Sequence, residues 1–282
     1  MKIAQKLGLA AALVAALGFV PASAQLAAQP DAAVQRAAAA QKQPLLDTLK
    51  EFVSIETGSR DIEGLTQASE LLARKLRALG GDVSFVETAE ATTYRMGDTP
   101  EKIGRMTKAV FKGTGSKRIL LIAHMDTVYL KGMLAKQPFR IEGDRAYGLG
   151  IADDKQGVAM IVHLIALLRD VKFNEYGTLT VLVNSDEEIS SPGSRAALTE
   201  EGARHDAVLS FEATRTNEDK LSLATSGIAA VYPKVEGRAS HAGGAPERGI
   251  NALYELSNQI LQMPDLSEPQ AALQLNRTVS TA

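Results

Sequence analysis

Apolar residues recur at helical spacing through Leu45, Leu46, Leu49, Phe52 and Val53, which predicts an amphipathic helix. The same period through Leu65, Leu71, Leu72, Leu76 and Leu79 predicts a second helix, and Gly80-Gly81 stops it. The pattern then shortens. Val83 to Val86, Lys108 to Lys112 and Ile119 to Ala123 read as strands, whereas the polar stretch from Thr88 to Arg105 reads as a loop. Gln156 to Leu168 is apolar nearly all round and predicts a buried helix. Thr178 to Asn184 and Ala207 to Phe211 read as further buried strands. Helices alternating with continuous apolar strands predict an α/β fold, a mixed sheet flanked by helices on both faces. After Thr225 the pattern changes. A strand from Ile228 to Val235, a helix from Ile250 to Leu261 and a strand-like run from Leu273 to Val279 suggest a separate, partial α+β unit. Its sheet would have open edges, so it is expected to be unfinished. No internal repeat is present.

The N-terminus reads as an address. Lys2 and Lys6 precede an apolar run from Leu7 to Val20, followed by Pro21 and the small residues of Ala22-Ser23-Ala24. This predicts a signal peptide over residues 1–24, cleaved after Ala24, and export to a periplasm or beyond. The run is shorter than the roughly 20 residues a spanning helix needs, so no stable membrane anchor is expected. An Ala/Gln-rich stretch including Ala37 to Ala40 follows.

Composition narrows the chemistry. The 282 residues carry 31 Lys+Arg against 33 Asp+Glu, a net charge of −2, which argues against a nucleic-acid binder because such a protein needs a basic face. There is no cysteine, which excludes disulfides, thiolate nucleophiles and Cys-ligated metals. Any metal must be held by carboxylates and by some of four histidines. No Gly-x-Ser-x-Gly elbow appears, which disfavours a serine hydrolase.

Four short motifs fall at the ends of predicted strands, where open α/β sheets place their ligands. In His124-Met125-Asp126 the two polar residues are two apart, so an extended chain points them to one face. Asp126 can then accept a proton from the His124 ring and fix its tautomer, or the histidine can be a satisfied polar group. Gly148-Leu149-Gly150-Ile151-Ala152-Asp153-Asp154 lacks the third glycine of a dinucleotide fingerprint and is read instead as a tight turn delivering Asp153 before a helix. A helix cap is the simpler role for Asp154. Asp186-Glu187-Glu188 follows a buried strand, where three acids repel one another unless a cation or protons compensate. Adjacent side chains point apart, so one glutamate can hold a metal while the other serves as general base. Glu212 is a further carboxylate at a strand end. His124, Asp153, Glu188 and Glu212 together make a hard N/O donor set that suits zinc. His163 is expected in a helical core and His205 in an exposed turn.

In this order the four motifs resemble the co-catalytic zinc peptidases of the aminoacylase/carboxypeptidase superfamily. The run from His124 through Gly132, Gly150 to Lys155, Asp186-Glu187-Glu188 and Ala239-Ser240-His241-Ala242-Gly243 are similar to its glutamate-releasing, folate-hydrolysing branch. The resemblance implies a catalytic domain over residues 25–225 and a partial ferredoxin-like lid and dimerisation domain over 226–282. It implies two zinc ions: His124 and Glu212 holding one, Asp153 bridging, Glu188 holding the other. By the same resemblance Glu187 is the general base, Asp126 orients His124, and His241 on the lid helps polarise the scissile carbonyl in a homodimer. The implied substrate ends in glutamate behind a pteroyl or other acyl group; a deacylase of acetyl- or succinyl-amino acids is the alternative, and an inert binding remnant a third. Gln156 stands where the family usually has glycine, and Ser190-Ser191-Pro192 where relatives carry Gly or Lys. The family's last histidine ligand and its substrate-binding Arg and Asn are not matched, so the chain is expected to be a fragment.

Overall fold

The computed structural model describes residues 31–213, 221–223 and 232–263. The chain divides into two compact units, Met1–Leu221 and Ser222–Ala282. The expected signal peptide, the expected boundary after residue 225, residues 228–231 and the strand-like run 273–279 lie outside the described residues.

In the first unit, helix α1 (Ala32–Ala40) begins where the Asp31 carboxylate accepts the backbone N–H groups of Ala33 and Val34. Helix α2 (Lys42–Val53) buries Leu49, Phe52 and Val53, the face its period predicts. Helix α3 (Ile62–Ala78) is capped by Asp61 and buries Leu65, Leu72 and Leu76. Strands β1 (Asp82–Val86), β2 (Met106–Lys112) and β3 (Arg118–His124) follow. A small hairpin, β4 (Arg140–Glu142) with β5 (Arg145–Tyr147), precedes helix α4 (Gln156–Asp170). Strand β6 (Thr178–Asn184), helix α5 (Arg195–Ala203) and strand β7 (Ala207–Ser210) complete the main sheet and its cover.

The five-stranded sheet has the order β1-β2-β6-β3-β7. β1, β2 and β6 pair antiparallel, whereas β3 runs parallel to both β6 and β7, so the sheet is mixed. One face carries Ala109, Phe111, Leu121, Ala123, Val181 and Val183 against α3 and α4. The opposite face places Met106, Leu120 and Leu182 against Ala197 and Leu198 of α5. Two covered faces explain the continuous apolar strands β2, β3 and β6. The expected buried strand over Ala207 to Phe211 is corrected, because β7 lies at the edge of the sheet and is exposed along its length. The hairpin and α5 escape the periodicity because neither buries a residue fully.

In the second unit, helix α6 (Ala252–Gln262) is capped by Asn251, whose side chain accepts from Tyr254 N. The expected strand over Ile228–Val235 is corrected for its described part: residues 232–235 form no strand and are exposed or half-buried. Among the described residues, a bridge joins Arg238 to Ile250. Among the described residues, no helix is long and apolar enough to cross a membrane.

Candidate metal centre

Three parallel strands aim their C-terminal ends at one place. His124 ends β3 directly opposite Asn184, the last residue of β6, and β7 runs parallel on the other side of β3. Phe211 N–H donates to Ile122 O at 2.9 Å, which continues that pairing toward Glu212.

His124 is 1% exposed. Its Nδ1 lies 3.1 Å from the Asp126 carbonyl oxygen and 3.3 Å from Asp126 Oδ1. With a cation on the Nε2 side, these two acceptors would keep the ring proton on Nδ1. Nε2 lies 3.0 Å from Asp153 Oδ1 and 3.3 Å from Glu212 Oε1. One donor atom from each of His124, Asp153 and Glu212 falls within 4.8 Å of the others.

Local backbone geometry delivers Asp153. Gly150 has φ 63°, a left-handed conformation that glycine adopts freely, and Asp153 leaves helical geometry at φ −131° and ψ 93°. The following peptide bond, Asp153–Asp154, is cis. Asp154 turns inward, fully buried, accepting His124 N–H and Gly157 N–H at 3.2 Å each. It therefore caps α4 and also ties the end of β3. A Cβ on Gly157 would collide with the Asp154 carboxylate and the Phe211 carbonyl. The preceding Gln156, at φ −65° and ψ −42°, is ordinary helix and accommodates its side chain.

Asp126 is fully buried and joins two parts of the site. Its Oδ1 accepts Glu187 N–H at 3.0 Å; its Oδ2 accepts Glu188 N–H at 3.1 Å and the Ser59 hydroxyl at 2.8 Å. Asp186 plays a different part, accepting Gly193 N–H at 2.7 Å, Ser194 N–H at 3.0 Å and the Asn184 amide at 3.2 Å. It thereby shapes the turn that carries the glutamates. In that turn Ser190 and Ser191 take left-handed φ values of 70° and 52°, where a glycine would be unstrained.

The electrostatics report excess negative charge. Burial opposes the His124 charge, but the Asp126 hydrogen bond and the Asp126, Glu212 and Asp154 carboxylates raise it to about 10. Burial raises Glu188 to about 7, with Asp153 adding repulsion. Asp154 rises to about 8, mainly through burial and then Glu212. Glu187 and Glu212 also rise, burial leading in both. Burial leads, and the close approach of the carboxylates adds to it. One imidazole and two convergent carboxylates, backed by further acids, fit a divalent cation of zinc type.

Of the residues expected from sequence, His124, Asp153 and Glu212 come together, and Asp126, Glu187 and Glu188 adjoin them. Glu188 stands outside the three-residue cluster. His241 belongs to the second unit and is exposed; its Nδ1 accepts Gly244 N–H at 2.8 Å and Gly243 N–H at 3.2 Å. Its ring proton is thus on Nε2. His163 is buried as expected, bonded to Gln41 and Thr48. His205 is a correction. Its side chain is only 6% exposed, with ring nitrogens 2.6 Å from the Glu201 carbonyl and 2.9 Å from Thr180 Oγ1. The charged turn it sits in folds back over β6 and buries it. Ser59 gives no sequence signal of its own, because Gly58-Ser59 between two helices marks only a turn.

The sequence profile described as Peptidase family M20/M25/M40 matches residues 120–268. Carboxypeptidase G2 of Pseudomonas sp. (strain RS-16) is 45% identical over 273 residues, 97% of this chain and 63% of that protein. N-acetyl-L-citrulline deacetylase of Xanthomonas campestris pv. campestris is 34% identical over 143 residues, 50% of this chain and 36% of that protein. This chain thus spans less than two thirds of these relatives' lengths. A tripeptidase from Staphylococcus aureus superposes with a TM-score of 0.52 at 20% identity, covering 78% of this chain and 56% of that one. Human carnosine dipeptidase 1 superposes with a TM-score of 0.51 at 17% identity, covering 63% and 40%. These structures share the fold.

Proposed function

The chain belongs to the peptidase family M20/M25/M40, and from that membership we propose that it is a zinc-dependent exopeptidase releasing C-terminal glutamate from folate-like or other N-acyl substrates. One observation carries the proposal: the convergence of His124 Nε2, Asp153 and Glu212 at the strand ends of a chain 45% identical to a carboxypeptidase.

In this reading His124, Asp153, Glu188 and Glu212 would hold the metal. When bound, zinc would supply Lewis-acid polarisation of the scissile carbonyl and ease deprotonation of a water. The rest falls to the chain's own groups. Glu187 is the general base: it takes a proton from the attacking water and returns it to the leaving amine. Burial raises its carboxyl from the usual range, which strengthens it as a base. Asp126 holds the His124 ring by its Nδ1 side while gripping the backbone of Glu187 and Glu188. Ligand and base are therefore indexed to one buried carboxylate. In a homodimer, His241 of a second copy of the chain, with its proton on Nε2, would donate to the developing oxyanion. Export of the chain and a homodimer formed through the second unit complete the proposal.

Purified protein reconstituted with Zn²⁺, incubated in parallel with pteroyl-glutamate and N-acetyl-amino acids, tests it. Glutamate release that stops with a chelator and returns with zinc is expected. Hydrolysis of the acetyl substrates alone would make the protein a deacylase, and hydrolysis of neither would refute the peptidase assignment.

A further inference from the structure

Asp126 is engaged from two directions. Glu187 and Glu188 reach it from the loop after β6, and the Ser59 hydroxyl reaches the same Oδ2 as Glu188 N–H, from the segment between α2 and α3. Ser59 is 6% exposed, so no bulk water replaces its hydrogen bond. Its segment is stitched to the loop that follows His124. Thr127 N–H donates to Thr57 O at 2.9 Å, and Ser59 N–H donates to Thr127 O at 3.2 Å. Between these bonds the backbones approach so closely that a Cβ on Gly58 would collide with the Tyr129 carbonyl. Further along, the Glu56 carboxylate accepts Gly132 N–H at 2.7 Å and Leu134 N–H at 2.9 Å. The Ser59 oxygen is therefore fixed in space by the backbone, independently of the carboxylate it serves.

A buried carboxylate is held most firmly by charge-assisted hydrogen bonds. Two of those on Asp126 come from the glutamate loop, whose shape includes two left-handed serines. The His124 ring faces Oδ1 at 3.3 Å, and at Oδ2 Ser59 is the donor that comes from outside that loop. Without it, Oδ2 is held only by the segment that Asp126 itself organises. The carboxylate plane then has freedom to turn, and the His124 ring and the Glu187–Glu188 backbone turn with it.

We propose that Ser59 is a positioning residue of the metal centre, acting through Asp126 on both the imidazole ligand and the base-bearing loop; the inference rests on the metallopeptidase reading above. Its test uses the full chain loaded with Co²⁺ in place of zinc, comparing Ser59→Ala and Ser59→Thr with wild type. Outer partners of metal ligands typically contribute about 10–100-fold in affinity, and Ser59 acts one bond further out, at the lower end of that range. Ser59→Ala is expected to weaken Co²⁺ binding about 10-fold, on that scale, and to shift the visible absorption of the bound ion. Ser59→Thr, which keeps the hydroxyl, is expected to restore both. If the alanine variant does not fold, Ser59→Cys, a weak donor of similar volume, serves the same comparison. Wild-type affinity and spectrum in the alanine variant would overturn the inference, as would equal impairment in the threonine variant. A wild-type chain that binds no Co²⁺ would instead overturn the metallopeptidase reading, and this inference with it.

Discussion

Glu187 and Glu188 are adjacent in sequence and both bond to Asp126 through their backbones, yet their carboxyl groups have different surroundings. For Glu187, burial raises the carboxyl, the His124 charge opposes that, and Glu212 adds to the rise. For Glu188 the largest repulsion comes from Asp153, which belongs to the three-residue cluster. Glu212 belongs to the same cluster, so both carboxyls adjoin the candidate centre, and the division of labour into base and ligand is the one proposed above. A Glu187→Gln protein is expected to keep its metal content and to lose about 10²–10⁴-fold in kcat, the usual worth of a positioned base. Metal analysis and turnover measured on one preparation check this, and near-normal turnover would remove Glu187 from the mechanism. The candidate ligands themselves were legible from the chain, because a histidine or a carboxylate closing an apolar strand is conspicuous. Their supports were less so: Ser59 and the turn-shaping role of Asp186 depend on contacts between segments far apart, which no local pattern records.

Among the elements, α4 illustrates how a polar group survives in an apolar helix. His163 faces α1 and α2, where Gln41 Oε1 lies 2.8 Å from one ring nitrogen and Thr48 Oγ1 lies 2.9 Å from the other. Burial, with a smaller contribution from Lys75, lowers its pKa from the ordinary value of 6.5. The sign follows from linkage: the unfolded chain protonates near that ordinary value, while the folded chain resists until lower pH. The stability this gives is complete above about pH 6.5 and is lost as pH falls through the folded value. Thermal unfolding of wild type and His163→Gln between pH 5 and 8 should show the wild-type Tm dropping more steeply on the acid side. Parallel curves would contradict the burial argument. Helices α2, α3 and α4 and strands β2, β3 and β6 were readable because each buries a periodic or continuous apolar face. Strand β1 is only half-buried and β7 is exposed along its length, so their apolar runs predicted the strands but not their burial. The β4–β5 hairpin and α5 were not readable, because their burial is shared or partial and their composition is mixed.

At the scale of the molecule, the mixed sheet brings the ends of β3, β6 and β7 together, although His124, Asn184 and Ser210 are far apart in sequence. Strand order thus brings three of the four separated motifs together, and the turn after Gly150 adds Asp153. The antiparallel β1 and β2 extend the other side of the sheet and give α3 a surface to cover. The second unit was less legible: its helix α6 matches the apolar period, but the strand expected before it is absent over residues 232–235. An alternating run predicts a strand only where another strand pairs with it, and local pattern carries no information on that partner. The central claim is that His124, Asp153 and Glu212 share a divalent cation, and anomalous diffraction from zinc-loaded crystals at the zinc edge tests it most directly. The expected result is a peak between these three side chains, about 2.0–2.2 Å from each donor atom. Zinc-loaded crystals with no peak there, or with the ion bound only elsewhere, would contradict it.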